Sequence, residues 1–226
     1  RQRRQRRPMR PPRPMRRAFG AGIVATLAGT AGCLGFVRGD EALTAEAVGA
    51  VPGDEALIST GYRHRSTETE PLRETIEIAG QEREVELTNV AVECDRGVDL
   101  GVLGTVRAAT FVAFATPQFD VLGRTFHPGD RVSPSRLASE LSSNYEEFSI
   151  GEEVTEREWV VFDEPTEVST FEGRAAIEGT EIDVYVHLGT ATNDEDLVIF
   201  VGAHPRRLED EHERIATLAE ALAPVE

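Results

Sequence analysis

Hydrophobic and polar residues alternate along much of the chain, and this period of two predicts β-strands. In residues 72–78 apolar side chains alternate with charged or polar ones, residues 79–81 read as a turn, and Val85 and Leu87 lead a return strand. The apolar positions then change parity at Thr88-Asn89, which predicts a β-bulge at that point.

Further strands are predicted downstream. Residues 106–116 are apolar on both parities, as in a central strand that is covered on both faces. Residues 119–126 give another strand or arm. Four more strands are predicted in the C-terminal half, at residues 156–162, 167–178, 180–188 and 197–203.

Three segments predict helices. Residues 54–60 form a short one that closes at Gly61, and Ser133 is the N-cap of a mid-chain helix with Pro134 in its first turn. The last helix runs from about Glu209 to Leu222 and has one apolar stripe. Together the elements predict an α+β fold, an antiparallel β-sheet covered by the mid-chain helix and the C-terminal helix.

Charge divides the chain into two unlike regions. All 24 basic residues are arginine, and nine of them lie in the first 17 positions, where there is no acid. From Cys33 onward 15 arginines face 40 acidic residues, a net charge of −25 over 194 residues. This excess argues against a nucleic-acid-binding protein, because binding phosphates needs clustered positive charge.

The acidic body is typical of proteins adapted to molar salt. At about 1 M ionic strength the Debye length shrinks to roughly 3 Å, so the mutual repulsion of the carboxylates is tolerated there. An acidic protein from a GC-rich mesophile is the alternative, since it would also favour arginine over lysine. Both interpretations concern the surface and leave the activity open.

The N-terminal region has the pattern of an export signal. Arg16 and Arg17, followed by Phe19 and a modestly apolar stretch, resemble a twin-arginine signal, and Sec export stays open. Because a methionine directly precedes the arginine pair, translation is expected to begin at Met15 or Met9.

Near the end of the uncharged stretch 18–37, Thr30, Ala31, Gly32 and Cys33 resemble the lipobox of bacterial and archaeal lipoproteins. Small side chains let a peptidase hold an extended backbone, and the thiol accepts the lipid. An uncleaved helical span is one alternative, because 20 uncharged residues are about the length required, and ordinary secretion is another. All three outcomes place the body outside the cytoplasm.

Taken as a whole, the sequence from Met15 onward resembles an uncharacterised haloarchaeal lipoprotein family. Besides the leader, four segments carry the resemblance: Thr60-Gly61-Tyr62, Val85-Glu86-Leu87-Thr88-Asn89, Ala115-Thr116-Pro117 and Val121-Leu122-Gly123-Arg124. It implies a membrane location and transfers no catalytic or binding residue. The order of elements from Ser133 onward is similar to the PsbP-like sandwich in topology alone.

The common enzyme signatures do not occur in the body: there is no Gly-x-Ser-x-Gly elbow, phosphate loop, His-Glu-x-x-His or Cys-x-x-Cys. Cys94 is predicted to be a buried, unreactive thiol, and His187 a satisfied histidine within a strand. The acidic runs 193–196 and 209–211 are predicted to be solvated surface. The histidines are too widely spaced to favour metal ligation; they are His64, His127, His187, His204 and His212.

These observations predict an export signal at residues 1–32, a lipidated cysteine and tether at 33–54, and one domain at 55–226. The expected protein is an extracytoplasmic lipoprotein of a halophile, held at the cell membrane by lipid on Cys33, that binds or assists rather than catalyses. No metal or cofactor is expected, and no ligand is identified. The alternatives are a signal-anchored membrane protein, or a hydrolase in which His187 or His127 lies within reach of a Ser or Thr nucleophile.

Overall fold

A computed structural model describes residues 42–225 except 79, 100, 102–103, 122–123, 127–146, 178 and 194–195. The described residues form twelve strands and two α-helices. The strands are β1 (Leu43–Glu46), β2 (Ala50–Pro52), β3 (Arg63–Ile78), β4 (Gln81–Asp99), β5 (Thr105–Pro117), β6 (Phe119–Val121), β7 (Arg124–Phe126), β8 (Glu147–Val161), β9 (Glu164–Ile177), β10 (Thr180–Thr192), β11 (Asp196–Pro205) and β12 (Leu222–Pro224). The helices are α1 (Asp54–Thr60) and α2 (Glu211–Glu220).

One large sheet contains eight of the strands. Its order is β1-β4-β5-β11-β10-β9-β8, with β3 paired to the other edge of β4. Because β3 pairs with β4 along residues 81–95, both β1 and β5 lie on the opposite edge of β4, one after the other. β1 runs parallel to β4, and the other pairs of this sheet are antiparallel.

The predicted fold class, α+β with an antiparallel sheet under two helices, is wrong. The described residues are mostly strand, and their two helices have only seven and ten residues, so the architecture is closer to all-β. The sheet is also mixed, because β1 joins it in parallel. The cause is the length of the hairpin arms: β3 and β4 have 16 and 19 residues, and backbone pairing extends them through Glu- and Thr-rich stretches with little apolar alternation.

Of the helices predicted from the sequence, two are confirmed. α1 ends at Gly61, whose φ of 78° is the left-handed conformation that glycine adopts at least cost. α2 is present but shorter than the predicted 209–222. The mid-chain helix beginning at Ser133 falls within residues 127–146, outside the described residues. Among the residues that the structure describes, no helix is long and apolar enough to cross a bilayer.

The hairpin predicted around residues 79–81 is confirmed, with Ile78 opposite Gln81 and Gly80 at a φ of 77°. The bulge predicted at Thr88-Asn89 is wrong, because pairing with β3 is regular there. The apolar residues of β4 instead change faces: Val85 and Leu87 form a small separate cluster, whereas the residues from Val90 onward face the main core.

Strands also occur in the stretch predicted to be a tether. β1 pairs with β4, and β2 pairs with β12 at the other end of the chain. The buried carboxylate of Asp196 accepts hydrogen bonds from the backbone N–H groups of Val48 and Gly49, both at 2.9 Å. The chain is therefore fixed to the sheet from about residue 43 onward.

The centre of the sheet is buried on both faces. All ten residues of β11 are buried, and β5 is buried on both parities from Ala108 onward, as the sequence predicts. We call the face on which α2 packs the inner face; Phe111, Phe200 and Gly202 belong to it. Gly202 lies directly beneath Ile215 of α2, and the absence of a side chain there lets the helix approach the strand closely.

Replacing Gly202 with Ala should destabilise the fold. The added Cβ would lie 2.8 Å from Ile215 Cδ1 and closer still to its Cγ2, so α2 would have to move. Overpacking of this kind costs about 1–3 kcal/mol, which a urea unfolding midpoint would register.

Gly53→Ala is the matched control, because the nearest atom to its added Cβ is Ala221 O at 3.8 Å. Truncating the helix side chain in Gly202→Ala/Ile215→Ala should make the two losses less than additive. Strict additivity would mean that Gly202 does not set the distance between helix and strand.

Candidate functional site

The inner face carries a row of polar side chains beneath the first turn of α2. His187 of β10 lies opposite Thr170 on β9 and opposite Gly202 on β11, and His204 lies opposite Tyr185. Strand alternation therefore places both histidines on the inner face. They are almost completely buried, with 1% of His187 and 2% of His204 exposed.

These side chains form one hydrogen-bonded chain. His204 Nδ1 donates to the carbonyl oxygen of Pro205 at 3.0 Å, so in the neutral ring its Nε2 is an acceptor. His187 Nε2 donates to that nitrogen at 3.0 Å, which leaves His187 Nδ1 to accept from the Thr170 hydroxyl at 2.9 Å. Every ring nitrogen of the pair is satisfied with both histidines neutral.

Aromatic side chains cover the histidine pair. The indole of Trp159 lies 5.9 Å from the ring of His187 and stacks on Phe200 at 6.1 Å. The half-buried His212 of α2 lies 5.0 Å from His187 and 5.7 Å from Trp159, measured between ring centroids. Its Nε2 accepts a hydrogen bond of 2.8 Å from Arg157, which is exposed on β8.

Burial keeps all three histidines neutral near pH 7. Desolvation, and then the neighbouring His204 ring, lower the pKa of His187 to about 2. Desolvation also lowers the pKa of His204, although the hydrogen bond to the Pro205 carbonyl and then the charge of Glu211 act in the opposite direction. The pKa of His212 is lowered by desolvation and then by the positive charge of Arg157.

The histidine pair does not have the geometry of a metal site. The two rings are within 17° of parallel and their centroids are 5.2 Å apart, so with the Nε2 atoms at 3.0 Å the rings meet end to end. A tetrahedral zinc with bonds of about 2.0–2.1 Å would hold the two nitrogens about 3.3 Å apart, with their lone pairs meeting at an angle rather than head on. In the described part of the chain no group of three or more His, Cys, Asp or Glu is arranged to hold an ion.

A buried carboxylate lies beside the hydrogen-bonded histidines. Glu211, at the start of α2 and 1% exposed, accepts hydrogen bonds from Tyr62 at 2.8 Å and from Arg96 Nε at 3.0 Å. A second nitrogen of Arg96 also bonds to it, and Arg214 Nε lies 3.9 Å away. This network ties α2 to β4 and to the start of β3.

Open grooves lie elsewhere on the described part of the domain. One of about 770 Å³ at the β8–β9 turn is lined by Asp163, Glu164 and Glu220 among others. Another of about 580 Å³ is lined by residues of both charges, including Arg174 and Arg206. Neither groove is lined by the buried histidines.

Comparison with known proteins places the chain in a family. A domain of unknown function, DUF6517, matches residues 49–223. The chain belongs to the DUF6517 family. This confirms the expected membership of an uncharacterised family; haloarchaeal origin, the lipobox and the PsbP-like topology stay predictions.

No curated protein matches the DUF6517 chain. Among the solved structures that are distantly similar are two of the immunity protein TplEi of the T6SS from Pseudomonas aeruginosa, one complexed with "L" peptide and one apo. Their TM-scores are 0.34 and 0.32 at 13% identity, with 75% of this chain covered. The chain spans 60% and 55% of those chains, and the likeness is too distant to assign a function.

The site residues predicted from the sequence lie outside the described residues. They are Arg16, Arg17, Phe19, Thr30, Ala31, Gly32 and Cys33, so export and lipidation stay predictions. Cys94 is free and fully buried, as predicted, and burial raises the pKa of its thiol to about 12. The prediction of solvated acidic runs is wrong for Asp196 and Glu211, which are 0% and 1% exposed.

The sequence predicts a satisfied histidine at His187, and this is confirmed, but its partner was missed. The two histidines lie 17 positions apart and meet because β10 and β11 are consecutive antiparallel strands. In their register His187 lies opposite Gly202, so His204 is two residues further along the same face. The contact of His212 with the pair depends on how α2 is seated, which no local pattern gives.

Removing the charge of Glu211 should destabilise the domain. Glu211→Gln leaves Arg96 without its buried ionic partner, and breaking one side of such a pair costs about 3 kcal/mol or more. Thermal or urea unfolding would measure this loss against Glu213→Gln, a matched change at an exposed position of the same helix.

The double variant Arg96→Met/Glu211→Leu should lose less stability than Glu211→Gln, because it removes both charges. If Glu211→Gln shifted the unfolding midpoint no more than Glu213→Gln, the buried pair would not be holding α2 in place.

Proposed function

We propose that this DUF6517 chain is an extracytoplasmic lipoprotein of a halophile, whose domain binds or assists a partner at the outer surface of the cell membrane. The observation that carries the proposal is Cys33 preceded by Thr30, Ala31 and Gly32, close behind the arginine pair and an uncharged stretch. Lipid on this thiol would be the contact with the membrane.

The distance from Cys33 to the fold supports an anchored domain. Cys33 and the start of β1 at Leu43 are ten positions apart, so an extended connection would span at most about 35 Å. The hydrogen bonds of Asp196 to Val48 and Gly49 fix the next part of the chain to the sheet. A domain on such a tether would stay near the bilayer.

A binding role is favoured over catalysis by the state of the histidines. The Thr170 hydroxyl and His187 Nδ1 lie 2.9 Å apart, as a nucleophile and its base would. Among the described residues this is the one contact that favours a hydrolase. However, Thr170 is 5% exposed, and a pKa of about 2 makes His187 a very weak base at neutral pH.

Among the described residues, the groove at Arg174 and Arg206 has the surface chemistry best suited to a ligand. Its volume of about 580 Å³ falls in the usual range for small-molecule sites, and it presents Glu172 and Asp183 beside the two arginines. Arg206 is already oriented, since it pairs with Glu172 at 3.1 Å and lies 5.0 Å above the ring of Tyr185.

Mass spectrometry of the mature N-terminus, taken from native membranes, tests the anchor. We expect the chain to begin at Cys33 with a diacylglyceryl-type mass on the thiol. Cys33→Ser should leave the domain folded but release it from the membrane fraction. An intact segment 15–33 on membrane-bound protein would instead identify a helical anchor, and unmodified cytosolic protein would end the proposal.

Dilution of salt tests the adaptation to brine. Circular dichroism should lose its strand signal as salt falls from molar to millimolar, because the carboxylates then repel one another unscreened. Repulsion between neighbouring carboxylates is evident at Glu156, whose pKa is raised by the nearby Glu167.

The triple variant Glu153→Gln/Glu156→Gln/Glu167→Gln should keep its fold to lower salt than the wild type. An equal number of Glu→Gln changes on β3, at Glu68, Glu70 and Glu77, is the matched comparison on the opposite edge. A fold indifferent to salt would remove the halophile proposal.

A further inference from the structure

The buried histidine pair is closed to water and sits where α2 meets the sheet. His187 is covered by Trp159 and by His212 of the helix, and His204 lies against Tyr185. Ile215 rests on Gly202 one turn further along the helix. A change in the size or charge of the pair is therefore felt directly by the first turn of α2.

The existing hydrogen bonds of the histidine pair cannot accommodate two additional protons. One N–H joins the facing Nε2 atoms, and the outer nitrogens are committed to Thr170 and to the carbonyl of Pro205. A first added proton would turn one of the two rings into a buried cation, which is costly. A second would make both Nε2 atoms donors that point at each other at 3.0 Å, so the rings would have to separate.

We propose that His187 and His204 form an acid-operated latch, which holds the first turn of α2 against the sheet near neutral pH and releases it as the pH falls. The latch acts through packing: the rings cannot separate, or admit water, while Trp159 and His212 cover them. Release would expose part of the inner face at the side of the domain where Arg157 lies.

The charged surroundings act mainly against added protons. The groups whose charges reach the pair are His212 and Glu211 of α2, Arg157 of β8 and Arg96 of β4. Among them only Glu211 favours a positive histidine, and it is already bonded to Arg96 and Tyr62. From β9 the pair meets the uncharged Thr170.

The direction of the pH effect follows from proton linkage. Both histidines have a pKa below the usual 6.5 when the latch is closed, so below pH 6.5 the open form binds more protons than the closed form. The stability of the closed latch is present above pH 6.5 and is lost as the pH falls. His187, whose pKa in the closed form is about 2, changes the opening constant by about tenfold per pH unit below 6.5, and His204 contributes in the same direction.

Hydrogen exchange of the α2 amides, measured in molar KCl and corrected for intrinsic exchange, tests the latch. Between pH 7.5 and 5.5 the opening constant of residues 211–220 should rise at least about tenfold, the part of His187 alone, and further by the parts of His204 and His212. Trp159, the only tryptophan in the chain, should shift its emission in step with the opening, while the far-UV circular dichroism of the sheet stays constant.

Variants separate the latch from general acid sensitivity. In His187→Phe/His204→Leu the rise should be at least about tenfold smaller than in the wild type, because only the part of His212 is left. His64→Gln, at an exposed histidine on β3, should leave the wild-type rise unchanged.

Nuclear magnetic resonance of the wild-type protein gives a readout that does not depend on the variants folding. With 15N-labelled histidine, a scalar coupling across the hydrogen bond between the two Nε2 atoms should be present at pH 7.5 and should weaken in proportion to the open fraction. The latch is overturned if α2 exchange is flat across this pH range, if the coupling is absent at pH 7.5, or if the whole sheet unfolds together with α2.

Discussion

The close seating of α2 on β11 is the contact on which the candidate site depends. Because Gly202 has no side chain, Ile215 lies against the strand itself, and the helix is near enough for its first turn to reach buried groups. His212 then covers the histidine pair and Glu211 reaches Arg96. With a larger residue at position 202, the helix would stand off the sheet and both contacts would lengthen.

Several polar side chains are buried in the interior of the domain, and they are largely hydrogen-bonded to one another. Thr170, His187, His204 and Pro205 satisfy one another in sequence, which removes much of the cost of burying them. The outer strands of the sheet are charged instead. The outer strands β3 and β8 are rich in exposed glutamates, and charge on an edge strand hinders pairing with other chains.

Local patterns predict the short-range features well. The turn at residues 79–81, the end of α1 at Gly61 and the doubly buried β5 each depend on a few neighbouring residues. The fold class fails because β3 and β8, by pairing with their neighbours, extend well before the predicted 72–78 and 156–162 into Glu- and Thr-rich stretches whose own alternation indicates no strand. The burial of Glu211 was missed for a similar reason: its partners Tyr62 and Arg96 are distant in sequence.

The pairing of β2 with β12 has a consequence for how the domain is connected. Residues 50–52 and 222–224 lie side by side, so the last described strand closes against a strand near the start of the domain. Because β12 follows α2 directly, this pairing holds the C-terminal end of the helix to the N-terminal part of the domain, just as Glu211 holds its other end to β4.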